Sequence, residues 1–161
     1  MKKLKNELPS KFLVFIGSDH GGFEMKSNII KNDELNEFIE FVDVGTYSNE
    51  SVDYPDYAKK IGENVSKNAN SFGIGICGTG IGICIALNKI KGIYAANVNK
   101  VEEAKLARLH NNANVITLSG RFTSLDDNVE IIKAFFKETF EKGRHEARIF
   151  KIKEMESKIN G

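Results

Sequence analysis

The sequence predicts a doubly wound α/β fold, in which helices cover both faces of a five-stranded parallel sheet. Short apolar runs alternate along the chain with segments whose apolar residues recur at helical spacing. Most of these runs are too apolar to have one solvated face, as expected for strands buried on both sides. With 161 residues, 41% of them apolar, the chain suits one domain with one core.

The predicted strands are short and apolar. They span residues 12–17, 37–44, 72–77, 93–98 and 114–118. The helices predicted between them span residues 23–31, 55–66, 83–89 and 101–109. Pro55 fits the first turn of its helix, where a missing N–H costs nothing. Apolar residues then repeat at three- and four-residue steps over 129–140 and over 149–159, which predicts two closing helices.

Composition favours a small-molecule ligand. The 23 basic residues nearly balance the 22 acidic ones, so neither nucleic acid nor a membrane surface is expected as a partner. Residues 1–11 are predicted to be a loose extension and 12–161 the domain. No signal peptide or membrane span is predicted, which indicates a cytoplasmic protein. Cys77 and Cys84 are expected to be free thiols, and nothing suggests a metal site.

Polar residues and glycines follow the predicted strands. Ligands of such folds bind at the carboxyl ends of the strands. The segments that follow the five strands there are residues 18–22, 45–47 with 53–55, 78–82, 97–99 and 119–121. His110 and Asn111 lie elsewhere, at the end of the fourth helix and just before the last strand.

The glycine loop CGTGIG, at residues 77–82, is the most informative of these segments. An overlapping GxGxxG string at 73–78 is a weak dinucleotide fingerprint, because its glycines fall inside a predicted strand and no acidic residue follows at the required distance. The segment 78–82 lies between strand and helix, so its N–H groups can converge on an anion. A tight turn that uses glycines for backbone reasons is the alternative.

Cys77 precedes this loop directly. Hydrogen-bond donors and helix ends stabilise the thiolate form of a cysteine, so a thiol facing an anion cradle can act as a base or a nucleophile. The alternative is a small apolar residue that ends a buried strand. Cys84 has no comparable neighbours and is expected to pack in the core.

Five motifs occur in order between residues 12 and 159. They are GSDHGGFEMK at 17–26, VDVGTYSNESVDYPDYA at 42–58, ICGTGIGICIALNKIKGI at 76–93, ARLHNNANVITLSGR at 107–121 and GRHEARI at 143–149. In these motifs the chain resembles the type B ribose-5-phosphate isomerases, whose superfamily includes the galactose-6-phosphate isomerase subunits. The resemblance implies a Rossmann-like three-layer sandwich with a C-terminal helix that reaches the neighbouring subunit.

The resemblance also implies a reaction. It is the interconversion of an aldose phosphate and a ketose phosphate through a cis-enediolate, without metal or cofactor. Cys77 matches the family's base, Thr79 the hydroxyl beside it, and His110 the acid/base that opens the sugar ring. The enediolate oxygens are expected to bind amides of the glycine loop, at Gly78, Gly80, Ile81 and Gly82. Taken alone, a histidine that closes a helix, as His110 does, is more often a cap than a catalytic residue.

The remaining matches are substrate-binding residues. They are Asp19, His20, Tyr54 and Asn111 for the sugar, and Arg121, Arg144 and Arg148 for the phosphate. An arginine's planar fork suits a phosphate, although Arg144 and Arg148 alone fit a solvated helix face. The family's site lies at a subunit boundary, so a homodimer or a dimer of dimers is expected, with His110, Asn111 and Arg121 reaching across. The role of His145 stays open.

Three functions remain for this sequence. The first is isomerisation of ribose 5-phosphate and ribulose 5-phosphate. The second is isomerisation of a hexose 6-phosphate, such as allose or galactose 6-phosphate, whose pocket must hold one more carbon. The third is a non-catalytic phosphate- or nucleotide-binding module.

Overall fold

The structure is a computed structural model that describes residues 10–159. Its strands are β1 (Phe12–Ser18), β2 (Ile39–Asp43), β3 (Phe72–Cys77), β4 (Ala95–Asn97) and β5 (Val115–Ser119). Its helices are α1 (Phe23–Ile30), α2 (Asp33–Asn36), α3 (Tyr54–Lys67), α4 (Ile81–Leu87), α5 (Val101–Leu109), α6 (Leu125–Lys137) and α7 (Arg144–Ile159). The predicted boundary between residues 1–11 and 12–161 stays a prediction, because residues 1–9 and 160–161 lie outside those described.

The strands form one parallel sheet in the order β2-β1-β3-β5-β4. This confirms the predicted α/β class. Because β1, β3 and β5 are neighbours, the loops after these three strands lie side by side at the carboxyl edge of the sheet.

Each face of the sheet has its own apolar core. On one face, Ile74 and Ile76 of β3 pack with residues of α1, α2, α5 and α6. On the other face, Cys77 at the end of β3 packs with residues of α3 and α4. Alternation along β3 therefore directs the Cys77 side chain toward α3 and α4.

The glycines inside β3 let helices approach the sheet. A Cβ on Gly73 would lie 2.7 Å from Cγ2 of Ile61 in α3, and one on Gly75 would lie 3.2 Å from Cδ1 of Ile83 in α4. The GxGxxG string is thus a packing feature of a strand, and its first two glycines do not belong to a phosphate-binding turn.

Among the predicted boundaries that differ from the structure, three have a clear local cause. Helix α4 begins at Ile81, two residues before the predicted start. The reason is that Gly80 takes the left-handed conformation and ends the loop there. Strand β4 is shorter than predicted, because the N–H of Tyr94 donates to the side chain of Asn114 and not to the backbone of a neighbouring strand. Helix α6 ends at Lys137, so the prediction that Phe140 belongs to it is wrong.

One short helix was not predicted from the sequence. Helix α2 has four residues and is capped by Asn32, whose side chain accepts a hydrogen bond from the N–H of Leu35. So short a helix carries too little periodicity to be recognised in a sequence. Within residues 10–159, no helix combines the length and apolar character needed to cross a bilayer.

A buried lysine ties α1 to the end of β2. The Lys26 side chain is fully buried, and its ammonium donates to Asp43 and, at 2.7 Å, to the carbonyl of Thr46. A buried charge needs such partners, because an unpaired one would be costly in the interior. The contact fixes the start of the loop that leads from β2 to α3.

We expect Gly73→Ala to destabilise the fold by about 1–3 kcal/mol, because its new Cβ overlaps Ile61 in a packed core. The melting temperature should fall by about 2–4 °C per kcal/mol. Gly75→Ala is the matched control and should cost less, since its Cβ meets a contact of 3.2 Å rather than 2.7 Å. Equal melting temperatures for the two variants would contradict this account of the strand glycines.

Candidate active site

Cys77 lies where β3 enters the glycine loop. Its Sγ accepts a hydrogen bond from the N–H of Gly80 at 3.1 Å, and the side chain is only 4% exposed. Gly80 has a φ of 82°, and a Cβ there would lie 2.5 Å from Oδ1 of Asn97, so this position needs glycine. The Gly80 N–H therefore fixes the position of the sulfur, the atom through which a cysteine reacts, at the start of the glycine loop.

Two buried hydroxyls of β5 orient the glycine loop. Ser119 Oγ donates to the carbonyl of Gly78, and Thr117 Oγ1 donates to that of Gly80, both at 2.8 Å. The C=O and N–H of one peptide point in opposite directions. These bonds therefore turn the N–H groups of Thr79 and Ile81 away from β5, and that of Ile81 donates to the Thr79 hydroxyl within the loop.

Thr79 and Tyr54 border the cradle. Thr79 is exposed, and its Oγ1 accepts a hydrogen bond from the N–H of Ile81 at 3.1 Å, which leaves its own O–H to donate to a ligand. The Tyr54 ring covers the first turn of α4, where a Cβ on Gly82 would lie 2.7 Å from Tyr54 Cζ. The predicted hydroxyl thus lies on the same loop as Cys77, and the predicted tyrosine, the first residue of α3, packs against the helix that follows this loop.

The loop after β1 closes the same site. The N–H of Asp19 donates to the carbonyl of Ile76 at 3.3 Å. The Asp19 side chain is buried and accepts a hydrogen bond from the N–H of Gly22 at 3.1 Å. His20 Nδ1 accepts one from the N–H of Val52 at 3.1 Å, so the neutral ring carries its proton on Nε2. That nitrogen is the one left to donate to a ligand.

Arg121 follows β5 and lies beside Cys77 in the same chain. Its N–H donates to the carbonyl of Gly78 at 3.1 Å, and its Nη1 lies 3.2 Å from where a Cβ on Gly78 would be. This differs from the expectation that Arg121 would reach across from a second subunit. The reason is the strand order, which places the loop after β5 next to the loop after β3.

His110 and Asn111 lie at the opposite edge of the sheet. Helix α5 leads from the carboxyl end of β4 back to the amino end of β5, and His110 caps its last turn. The five residues of β5 separate the two edges by about 16 Å. His110 is therefore remote from Cys77 within one chain.

Helix α7 joins this second group. The rings of His110 and His145 are stacked, with centroids 4.1 Å apart and planes 13° from parallel. Arg144 and Arg148 flank His145 at the start of the helix, and both are exposed. A cavity of about 860 Å³ exists at the amino edge, but none of the predicted site residues lines it.

Glu141 and His145 complete the surroundings of His110. Glu141 Oε2 lies 3.5 Å from His110 Nε2. Burial lowers the pKa of His145, and the nearby His110 and Arg144 lower it further. His145 Nε2 is buried without a hydrogen-bond partner among the described residues. Sequence reasoning missed Glu141, because nothing local marks a partner 31 positions from His110.

These three side chains do not converge on one metal ion. Their ligand atoms lie within 4.8 Å of one another. The lone pairs of an imidazole lie in its plane, however, and the two planes are nearly parallel. A single ion cannot lie in both planes without a rotation of one ring. The arrangement is that of a stacked pair with a carboxylate beside it.

A family model described as Ribose/Galactose Isomerase matches residues 14–152 of the chain. The chain belongs to the ribose/galactose isomerase family. This confirms the family predicted from the five motifs.

Individual relatives of the ribose/galactose isomerase family match nearly their full length. A Mycoplasma pneumoniae protein named probable ribose-5-phosphate isomerase B is 45% identical over 140 residues, or 86% of this chain and 91% of that protein. The structure of ribose-5-phosphate isomerase B from Clostridium thermocellum has a TM-score of 0.87 and 44% identity, covering 92% of this chain and 99% of its own. That of the Mycoplasma genitalium enzyme with bound ribulose 5-phosphate has a TM-score of 0.86 and 44% identity, covering 92% and 98%.

We expect Ser119→Ala to lower the isomerase turnover typical of this family by about tenfold, because the Gly78 carbonyl loses its anchor and the cradle amides lose their direction. Steady-state kinetics with a melting curve would measure this. The control is Ser124→Ala, which removes the α6 cap formed with the N–H of Asp127. It should cost about 1 kcal/mol of stability without changing turnover. Equal turnover in both variants would contradict the anchoring role.

Proposed function

We propose that the chain interconverts D-ribose 5-phosphate and D-ribulose 5-phosphate. The observation that carries the proposal is the Cys77 sulfur, held by the Gly80 amide at the mouth of an anion cradle. A relative of the same fold, 44% identical, has been solved with bound ribulose 5-phosphate. The reaction belongs to the non-oxidative interconversion of pentose phosphates.

The Cys77 thiolate acts as the base. It takes the proton from C2 of the open-chain aldose, and the C–H electron pair forms the C1–C2 double bond of a cis-enediolate. The thiol then returns the proton to C1 while the proton of the C2 hydroxyl passes to O1, so that C2 becomes the carbonyl carbon of the ketose. The cradle amides and the Thr79 hydroxyl donate to the enediolate oxygens, and each such donor is worth about 3 kcal/mol in the transition state. No external electron acceptor is needed, because C1 is reduced as C2 is oxidised.

His110 opens the sugar ring before this step. Ribose 5-phosphate is mostly a furanose, which has no free carbonyl. The C1–O4 bond breaks, O4 takes a proton from His110, and the C1 hydroxyl releases one to solvent. The aldehyde that results makes the C2 proton acidic enough for a thiolate to remove.

The remaining residues bind the substrate. Asp19, His20, Tyr54 and Asn111 contact the sugar hydroxyls. Arg144 and Arg148 lie one turn apart on α7, and with Arg121 they bind the phosphate through paired N–H donors. The N-terminus of α7 adds its partial positive charge to the phosphate site.

The active site is shared between two subunits. Cys77 and His110 lie at opposite edges of one sheet, so a second copy of the chain must bring His110, Asn111 and the α7 arginines to Cys77. Helices α4 and α7 support this, because they expose apolar side chains that suit an interface between copies. The largest are Ile81, Ile85, Phe150, Met155 and Ile159. We infer a homodimer with two sites, alone or as half of a dimer of dimers.

A hexose 6-phosphate is the second candidate substrate. The matched family is described as containing galactose as well as ribose isomerases, and the reacting carbons C1 and C2 are the same in both sugars. A nucleotide-binding module is less well supported, because the fingerprint glycines pack against α3 and α4. The free thiols of Cys77 and Cys84 suit a reducing compartment, and we propose a cytoplasmic location.

Cys77→Ala should lower turnover of ribose 5-phosphate by more than about a thousandfold, because no other group takes the C2 proton. Ketopentose formation in chelator-containing buffer is the measurement, with allose 6-phosphate and galactose 6-phosphate run in parallel. Cys84→Ala is the matched control and should retain turnover. Full activity of Cys77→Ala would contradict the thiol base, and activity on hexose phosphates alone would contradict the proposed substrate.

Mixing two inactive variants tests the shared site. Cys77→Ala and His110→Asn homodimers each lack one group in both sites. A mixed dimer has one doubly altered site and one intact site, so refolding the variants together should restore about a quarter of wild-type turnover. No recovery, with mixed dimers verified by mass spectrometry, would show that each chain supplies both groups to one site.

A further inference from the structure

His110 is not held in place by its own helix. It caps α5, and its side chain is partly exposed, so its ring would otherwise sample several rotamers. A general acid contributes only when its donating nitrogen lies within hydrogen-bond reach of the substrate oxygen. The described surroundings of His110 contain two contacts that restrict the ring, one with His145 and one with Glu141.

The segment between α6 and α7 brings both contacts to His110. The N–H of Glu141 donates to the carbonyl of Leu109 at 3.0 Å, which ties the segment to the end of α5. Lys142 and Gly143 follow with φ values of 64° and 53°, and the N–H of His145 then donates to the carbonyl of Lys142 at 3.0 Å. This turn starts α7 with His145 against the His110 ring.

The two contacts differ in chemistry. His145 is buried and presents the face of its ring, while its Nε2 makes no hydrogen bond to the described residues. Glu141 is half exposed and presents a carboxylate at the edge of the His110 ring. One contact therefore fixes the plane of His110, and the other fixes the rotation within that plane.

Electrostatics disfavours a positive charge on both rings of the stacked pair. Two imidazolium rings 4.1 Å apart would repel each other. Burial, the largest effect, lowers the pKa of His145, as do His110, Arg144 and Arg148, while Glu141 acts in the opposite direction, so the neutral form of His145 is favoured. The carboxylate of Glu141 lies 3.5 Å from His110 Nε2, at the edge of that ring. The other nearby cation, Arg108 of α5, is directed away toward Asn112 and the carbonyl of Ala113.

We propose that Glu141 and His145 are positioning residues that hold the His110 ring in the orientation that ring opening requires. The inference rests on the proposed function, in which His110 opens the furanose. It adds two residues to the machinery, and neither touches the reacting atoms.

The test separates ring opening from proton transfer at carbon. Ribulose 5-phosphate cannot close to a furanose, because its 5-oxygen is phosphorylated. Exchange of its C1 hydrogen for solvent deuterium therefore needs Cys77 but no ring opening. We expect Glu141→Gln to lower turnover of ribose 5-phosphate by about tenfold with little change in KM, and to leave the deuterium exchange at the wild-type rate.

Three controls make the result specific. Glu63→Gln removes an exposed carboxylate of α3 that lies 4.0 Å from Lys59, and it should change nothing. His145→Phe keeps a ring for stacking and should retain more turnover than His145→Ala. In a His110→Asn background, Glu141→Gln should cause no further loss, because its effect passes through His110.

The outcomes are distinguishable. If Glu141→Gln matches the wild type on ribose 5-phosphate, or if it lowers exchange and turnover equally, the positioning role is overturned. A further loss in the His110→Asn background, in variants with unchanged melting temperatures, also overturns it. If the wild type neither isomerises ribose 5-phosphate nor exchanges ribulose 5-phosphate, the proposed function fails, whatever Glu141 does.

Discussion

The chemistry at the carboxyl edge of the sheet depends on two hydrogen bonds from β5 to the glycine loop. Three glycines in six residues make this loop the most flexible kind of backbone, and ordering it costs conformational entropy. The hydroxyls of Ser119 and Thr117 offset part of that cost. Both are buried, where a hydrogen bond is stronger than in water and an unpaired carbonyl is penalised. The direction of the Thr79 and Ile81 N–H groups follows from these two bonds.

Topology imposes the second constraint. In a parallel α/β fold, a crossover helix starts near the carboxyl edge of the sheet and ends near the amino edge. A residue that caps such a helix, as His110 caps α5, cannot meet a residue that ends a strand in the same chain. An active site that needs both groups must therefore be assembled from two chains. The same argument explains why Arg121, which follows a strand, lies with Cys77, whereas Arg144 lies with His110.

Much of this could be predicted from the sequence. The parallel sheet was predictable because strands buried on both faces are apolar throughout, and the Cys77 loop because glycines beside a strand end are a local pattern. The roles of Thr117, Ser119 and Glu141 could not be predicted, because each of these residues contacts a partner that lies 31 to 41 positions away in the sequence. Phe140 was misassigned because apolar spacing continues past Lys137, although Glu138 is extended and its N–H already bonds to Phe135.

The two halves of the proposed site differ in stiffness, and this difference matches their tasks. Cys77 lies between packed strands and helices, so the base has little freedom, as proton abstraction from a fixed carbon requires. Among residues 144–159, α7 buries only His145 and Ile149, and the arginines proposed to bind the phosphate have long, flexible side chains. Pentose and hexose phosphates share C1 and C2 and differ in the distance from these carbons to the phosphate. A change of substrate within the family would therefore be accommodated at Arg144 and Arg148, while the thiol and its cradle could stay unchanged.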